Sequence, residues 1–591
     1  MLGAHVVAGG VKFSVWATKA NEVVLVLRSN GLVSRFSMER DDAAVFAVFV
    51  ESANAGDTYA FEVDGSGPFP DPRSRFQPDG VHGFSEIVDP GAFAWSDSTW
   101  TGLGAEGLII YELHVGTMTF AGTFRSLMDE LPELANLGIN AIEIMPVAEC
   151  PGRWNWGYDG VELYAPSHNY GRPDDLRALV DASHAVGIGV ILDVVYNHLG
   201  PEGNYLGVYS DFYTSKIHTN SWGAGLNWDG EGSEFVRAFA IDSATQWISE
   251  YHFDGLRLDA THALVDDSPV HLVRELTAIA REAAGDRSIY VVAEDERREM
   301  TRVRSSDRGG DGLDAVWADD FHHEMRVSLM NSNENYYSAY SGTAKEIATA
   351  INNGFGDEGF ERGTPPDTSD PGSAFVFCIQ NHDQVGNRPF GDRLHHEANL
   401  ERYKVASALL LFVPETPLLF MGQEFAASTP FLFFTDHPED LGKLVTEGRR
   451  REFAGFRLFE DEALRETIPD PQAESTFHAS KLNGGERVAN AEIYELYREL
   501  IAMRKADPVL NSSDRSETNA KWLTAEIVAV HRWRKGNHRL LIANFGNAAV
   551  IDLAKFPDVG WVERFSTGES GLIEDQGVSV PARTALVLGG G

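Results

Sequence analysis

The sequence predicts a multidomain protein centred on a (β/α)8 TIM barrel, and three patterns predict it. Between Leu108 and about Lys505, short apolar runs alternate with amphipathic helical stretches, the order of repeated βα units around a parallel sheet. Four of those runs end in polar clusters, as expected where the C-terminal ends of barrel strands converge on one mouth. On both flanks, from Val11 to about Asp89 and from about Leu523 onward, the runs are short and punctuated by turn residues, so each flank is expected to be a β-sandwich. The expected division is an N-terminal β-sandwich at 1–90, a linker at 91–107, the barrel at 108–510 and a C-terminal β-sandwich at 511–591.

In chain order, Lys12-Phe13-Ser14-Val15-Trp16 and Val23-Val24-Leu25-Val26-Leu27 are the first strand signals. The eight candidate barrel strands are Ile109 to Val115, Ala141 to Pro146, Gly189 to Val195, Gly255 to Asp259, Ile289 to Glu294, Ala315 to Ala318, Phe375 to Ile379 and Leu418 to Gly422. Between them, Phe124 to Leu137, Pro173 to Val186, Glu234 to Tyr251 and Val270 to Ala284 carry apolar residues every three or four positions, the helical period. Two intervals are too long for plain connectors, Gly200 to Ser233 and Phe425 to about Ala491, and long loops on this side of a barrel carry substrate contacts. Ile527-Val528-Ala529-Val530 and Leu540-Leu541-Ile542-Ala543 mark the return to β structure.

With 591 residues the chain is long enough for three or four domains. Lys and Arg total 49 against 88 Asp and Glu, a net charge of -39, which repels a phosphate backbone or an anionic membrane and favours a neutral partner such as a polysaccharide. A merely acidic, highly soluble surface accounts for the charge equally well. Cys150 and Cys378 allow at most one disulfide, so a reducing compartment is the simpler expectation. The start Met1-Leu2-Gly3-Ala4-His5 has no signal-peptide character, and Pro414, Glu415 and Pro417 interrupt the apolar region Val405 to Phe420. A cytoplasmic protein with no membrane span is expected.

The four clusters are Asp193-Val194-Val195-Tyr196-Asn197-His198, Arg257-Leu258-Asp259, Glu294-Asp295-Glu296 and Gln380-Asn381-His382-Asp383. A barrel mouth would gather Asp259, Glu294 and Asp383 around one point. Two carboxyls flanking a sugar C1 suffice for glycoside hydrolysis, one protonating the leaving oxygen and the other attacking. Crowded like charges raise one pKa, while an adjacent Arg keeps another carboxylate ionised, and Arg257 shares a strand face with Asp259. Any one cluster alone reads more simply as a helix cap or surface charge, but four in order, each ending a different strand, do not. His198 and His382 would serve equally as structural histidines. No ligand spacing supports a metal, and no cofactor is expected.

These clusters resemble the four signature regions of the α-amylase family, glycoside hydrolase family 13, and the resemblance runs over nearly the whole chain. It implies a retaining glycosidase with Asp259 as nucleophile, Glu294 as acid/base and Asp383 as transition-state stabiliser. It also implies that His198, Arg257 and His382 hold the sugar on the glycone side, that Tyr158 stacks on it, that Asp193 orients Arg257, and that the N-terminal sandwich is of carbohydrate-binding type. Asn197 matches a position that binds calcium in many α-amylases. Longer strings, Trp154-Asn155-Trp156-Gly157-Tyr158-Asp159-Gly160-Val161 and Ala293-Glu294-Asp295-Glu296-Arg297 among them, resemble the branch of the family that cuts the α-1,4 bond beside the terminal trehalose of maltooligosyl trehalose. That branch implies maltooligosyl trehalose or a related α-glucan as substrate and a functional pairing with a maltooligosyl trehalose synthase. Asp295, Glu296, Arg297 and His262 stand where the leaving trehalose would need polar groups, though a surface salt-bridge cluster is an equal reading. Trp156, with Trp154 and Trp228, could stack on sugar or pack a loop. The alternatives are a glycogen debranching or branching enzyme and, in another class, a non-catalytic glucan-binding protein.

Overall fold

The computed structural model describes residues 2–220, 223–356, 366–367, 369–456, 461–574 and 577–591. Eight parallel strands close a barrel in chain order. They are Ile110–Leu113, Ala141–Ile144, Gly189–Val194, Gly255–Leu258, Tyr290–Ala293, Ala315–Trp317, Phe375–Cys378 and Thr416–Phe420. Every one is buried along its whole length, because its inner face fills the barrel and its outer face meets helices; this is why the runs are continuously apolar. The eighth strand starts two residues earlier than the apolar run suggests. It takes in Pro417, which lies opposite Phe377 near the strand start, where a missing N–H costs the ladder least.

Three of the four helices lie where the periodicity predicts them, at Pro173–Ala185, Ser233–Glu250 and Leu272–Ala283. The fourth divides into Phe124–Met128 and Leu131–Leu137. Pro132 has no N–H for the Met128 carbonyl, so one helix ends there and the next begins with proline at its second position. Gly138, at φ 103°, then stops the second helix in the left-handed conformation.

The N-terminal strands form two sheets around their own apolar core, which includes Phe13, Leu25, Phe46 and Phe61. This sandwich docks on the barrel helix Ser233–Glu250. Buried Arg75 grips Glu250 through two hydrogen bonds of 2.7 and 3.1 Å, Arg73 pairs with Asp242, and Trp16 lies flat on Phe235 at 4.6 Å. At the other end, helix Ala491–Ala506 leads to a five-stranded and a three-stranded sheet beginning at Thr518. Buried Arg532 of this region donates to the carbonyls of Phe412, at the end of a barrel helix, and Leu510, at 2.7 and 3.1 Å.

The two expected long loops are structured. The first holds the paired strands Thr214–Asn220 and Gly223–Leu226, and the second the helices Glu439–Glu452 and Glu474–Ala479. Residues 221–222 and 457–460 of these loops lie outside the described residues. Cys150 and Cys378 are buried and unpaired with each other. Among the described residues, no helix is long and apolar enough to cross a membrane.

Candidate active site

Arg257 organises the barrel mouth. From inside the fourth strand its buried guanidinium donates to Asp193 at 2.8 and 3.0 Å, to Asp259 at 2.7 Å and to Glu294 at 2.8 Å, and it lies 4.3 Å over the Trp317 ring. Parallel register explains the convergence: Asp193 stands beside Arg257 on neighbouring strands, and Glu294 follows the strand that pairs with it. Asn197 Nδ2 donates 2.7 Å to the second oxygen of Asp259, and the Ala260 amide donates 3.0 Å to Glu294. Ala260 makes that bond in the left-handed region, at φ 40°.

A second chain of hydrogen bonds reaches the mouth from the first and seventh strands. His382 Nδ1 bonds the Glu112 carboxylate, whose other oxygen takes the His382 amide at 2.7 Å. Burial opposes a charge on this imidazole, but Glu112 outweighs burial and raises its pKa to about 9. Charged, His382 donates from both nitrogens, so Nε2–H bonds the Tyr158 hydroxyl at 2.8 Å and the phenol donates onward to Asp193 at 2.7 Å. Gly157 makes the approach of Tyr158 possible: its φ is 103°, and a Cβ there would lie 2.1 Å from the Pro146 carbonyl. His198 closes this side, with Nε2 3.0 Å from the Tyr158 carbonyl. Asp383 lies in the first turn of helix His382–Gly386 and is bonded by Asn387, which in turn accepts from Arg449 at 2.7 Å.

The carboxyls are set in opposite directions. Burial raises the Glu294 pKa to about 8 against the pull of Arg257, with Asp259 and Asp383 adding like-charge repulsion. Burial also works against ionisation of Asp259, yet Arg257 and Asn197 overcome it and its pKa falls below the ordinary carboxylate value. Asp193, where burial exceeds the help from Arg257, rises to about 6. In the barrel interior below, burial and Glu112 push Glu143 well up, and neither of its oxygens has a hydrogen-bond partner among the described residues.

Asp259, Glu294, Asp383, Asp193, Arg257, Tyr158, His198 and His382 thus form one connected site. The remaining expectations divide. Glu296, 77% exposed, and His262, 3.6 Å from it, line a cavity of about 360 Å³ together with Glu294 and Asp383. Asp295 lines the same cavity, but its carboxylate is taken up by Thr261 and by Arg297 Nε, each at 2.8 Å, with Arg302 at 3.5 Å, so for Asp295 and Arg297 the hydrogen bonds match the salt-bridge alternative, a pair that ties a loop together. Burial would raise the Asp295 pKa, but Arg297 holds it down at about 2. Trp156 needs correction. It is buried, stacked 5.2 Å from Phe431 and bonded by Nε1 to the Leu432 carbonyl at 2.9 Å, so it packs the wall behind His382 and offers no face to a sugar. Trp154 and Trp228 are buried likewise.

Sequence reasoning missed Glu112, Trp317, Asn387 and Arg449, and noted Asn197 only as a calcium position. Glu112 carried a usable signal, an acid inside an otherwise apolar strand run. Asn197 has its amide committed, Nδ2 to Asp259 and Oδ1 to His198. Away from the mouth, His218, Asp229 and Asp267 place one ligand atom each within 4.8 Å of one another. They come from two separate loops, so no local spacing announces them.

A (β/α)8 barrel with such a carboxylate set at its mouth defines the class as glycoside hydrolase. Residues 87–222 match the family described as alpha amylase, catalytic domain, and residues 1–79 match carbohydrate-binding module 48, the isoamylase N-terminal domain. The malto-oligosyltrehalose trehalohydrolase of Deinococcus radiodurans is 43% identical over 560 residues, covering 92% of this chain and 89% of that protein. That of Saccharolobus solfataricus is 39% identical over 549 residues, covering 92% of each. A crystal structure from Salmonella typhimurium, described as an alpha amylase, superposes with a TM-score of 0.89 at 36% identity, over 100% of this chain and 99% of that one. The chain belongs to the malto-oligosyltrehalose trehalohydrolase family.

Proposed function

We propose that the protein hydrolyses the α-1,4 bond beside the terminal trehalose of maltooligosyl trehalose, with retention of configuration, and releases trehalose. The observation that carries this reading is one guanidinium, Arg257, bonded to Asp259 at 2.7 Å and to Glu294 at 2.8 Å, which favours an ionised Asp259 beside a Glu294 whose burial raises its pKa to about 8, within a chain matched by trehalohydrolases over nine-tenths of its length.

Asp259 attacks C1 of the glycone sugar while Glu294 gives its proton to the departing oxygen of trehalose. Asp383, held through Asn387, faces the positive charge that develops at C1, and charged His382 with His198 and Tyr158 fixes the sugar's position. In the second half, ionised Glu294 takes a proton from water, the water oxygen bonds to C1, and the bond to Asp259 breaks. An enzyme that converts the reducing end of a maltooligosaccharide into a trehalose cap must supply the substrate, which supports a pairing with a synthase. The two buried, unpaired cysteines support a cytoplasmic location.

Proton NMR during digestion of maltotriosyl trehalose tests the reading. Trehalose and the α anomer of the maltooligosaccharide should appear first. Early β anomer would exclude the attack by Asp259, and release of glucose or maltose in place of trehalose would exclude the assigned bond.

A further inference from the structure

The cleft contains a fourth carboxyl that this mechanism leaves unused. Asp319 follows the sixth barrel strand and stands at the N-cap of helix Asp320–Met330, but it makes no capping bond. Its neighbour Asp320 is fully committed, accepting from Arg298 at 2.7 Å, from the Tyr340 hydroxyl at 2.9 Å and from the Gly356 amide at 2.8 Å. That network leaves Asp319 half-buried on the wall of the 360 Å³ cavity it shares with Glu294 and Asp383. Burial, reinforced by Asp383 and Asp320, raises its pKa to about 7. Among the described residues no group hydrogen-bonds the Asp319 side chain, and a partly desolvated carboxyl of that kind costs the free protein stability and gains most from a ligand that supplies hydrogen bonds.

The side of the scissile bond follows from the elements. Tyr158, His198, Arg257 and His382, which would surround the glycone sugar, come from the loops and ends of the second, third, fourth and seventh strands. Asp319 comes from the loop after the sixth strand, and the same cavity wall carries Glu296 just past the acid and the rings of Tyr336 and Tyr340. The exposed ring of Tyr336 beside a carboxyl with no hydrogen-bond partner among the described residues suits a neutral pyranose, whose adjacent hydroxyls can bond both oxygens of one carboxyl group.

We propose that Asp319 contacts substrate directly, as a specificity-determining residue that bonds hydroxyls of the sugar on the leaving side of the scissile bond. The assignment of that sugar to trehalose rests on the function proposed above.

The test uses the full chain with Asp319→Ala and Asp319→Asn, on maltotriosyl trehalose and on 4-nitrophenyl α-maltotrioside. The second substrate keeps the glycone and replaces the leaving sugar by a group with no hydroxyls for Asp319. Asp319→Ala should lose roughly thirtyfold or more in kcat/KM on the trehalose-capped chain and less than about threefold on the nitrophenyl glycoside. Asp319→Asn, which still donates and accepts, should lose less than Asp319→Ala on the first substrate. Inhibition by added trehalose should weaken about tenfold or more in the alanine variant. Because Asp319 makes no side-chain hydrogen bond among the described residues, neither variant should melt below the wild type, and loss of an unpaired, partly desolvated carboxyl should raise the melting temperature slightly. Equal losses on both substrates would mean a structural or electrostatic role, and no loss on either would mean no contact; each overturns the proposal. A wild type that prefers uncapped maltooligosaccharides would refute the trehalose reading instead, and the comparison of a sugar with a nitrophenol leaving group would still decide the role of Asp319.

Discussion

Arg257 donates to Asp193, Asp259 and Glu294 together, so the protonation of each carboxyl depends on the others. Asp259→Asn keeps the volume and the Asn197 contact region but removes the attacking oxygen. Turnover should fall by roughly three orders of magnitude or more while circular dichroism and glucan binding stay near wild type; retention of most activity would displace Asp259 as nucleophile. Glu294 must be protonated to act, so wild-type kcat/KM should fall as pH rises through about 8, and this limb should vanish in Glu294→Gln. The same variant should suffer less on 4-nitrophenyl glycosides, whose leaving group needs little protonation. The raised pKa also has a stability consequence: the folded chain keeps a proton that the unfolded chain releases above the ordinary value of 4.5, so the wild type loses stability between pH 4.5 and about 8. Glu294→Gln should therefore melt above the wild type by more at pH 8 than at pH 4. Glu296 is largely exposed and its ion-pair partner among the described residues is His262, at 3.6 Å, so Glu296→Ala should leave the melting temperature nearly unchanged and narrow the preference for trehalose-capped chains by up to about tenfold. An equal loss on plain maltooligosaccharides would make Glu296 a general contact. The three carboxylates could be named from sequence because each ends an apolar strand run. Asn387, Arg449 and Asp319 could not: Asn387 ends a one-turn helix, Arg449 reaches it from the helix Glu439–Glu452, 62 residues on, and Asp319 follows a short strand with no neighbouring polar pattern.

The loops after the second and eighth strands act as one element. Trp154 donates to the Thr435 carbonyl at 3.1 Å, Trp156 to Leu432, and Arg153 to Asp436 at 3.0 Å. Tyr158 follows directly, so this seam holds it against His382, to which Trp156 also presents an edge at 5.6 Å. Trp156→Ala should cost about 3–5 kcal/mol of stability in denaturant unfolding, as for other large buried aromatics, and should raise KM for plain and capped chains alike. A loss of affinity without a loss of stability would restore Trp156 as a sugar platform. Helix Glu439–Glu452 does similar work from the same loop, since its Arg449 sets Asn387 and through it Asp383. The barrel strands were readable because burial on both faces leaves a continuous apolar signature. The helix break at Pro132 was readable in principle from its missing N–H. The interiors of the two long loops were not, because the loop after the eighth strand is seamed to a segment some 280 residues away and the loop after the third to the N-terminal sandwich some 140–190 residues before it, which leaves no local period.

At the scale of the whole molecule, the barrel is clasped from two sides. Arg75 and Arg73 fasten the N-terminal sheets to helix Ser233–Glu250, and Arg532 fastens the C-terminal sheets behind the barrel helix that ends at Phe412. The sandwich pattern at both ends was legible from short, turn-punctuated strands, whereas the docking arginines were indistinguishable in sequence from surface charge until burial identified them. The net charge of -39 is consistent with a neutral glucan partner, and on the proposed function the choice among α-glucans would fall to the cavity wall beyond the acid, where Glu296, His262 and Asp319 stand. Release of trehalose is the central claim, and competition tests it most directly. The enzyme is given equal concentrations of maltotriosyl trehalose and maltopentaose, and the initial rates of trehalose and maltose release are measured together. Trehalose should lead by roughly tenfold to several hundredfold, the range expected when one or two buried polar groups lose their partners; equal rates, or an excess of maltose, would contradict the account.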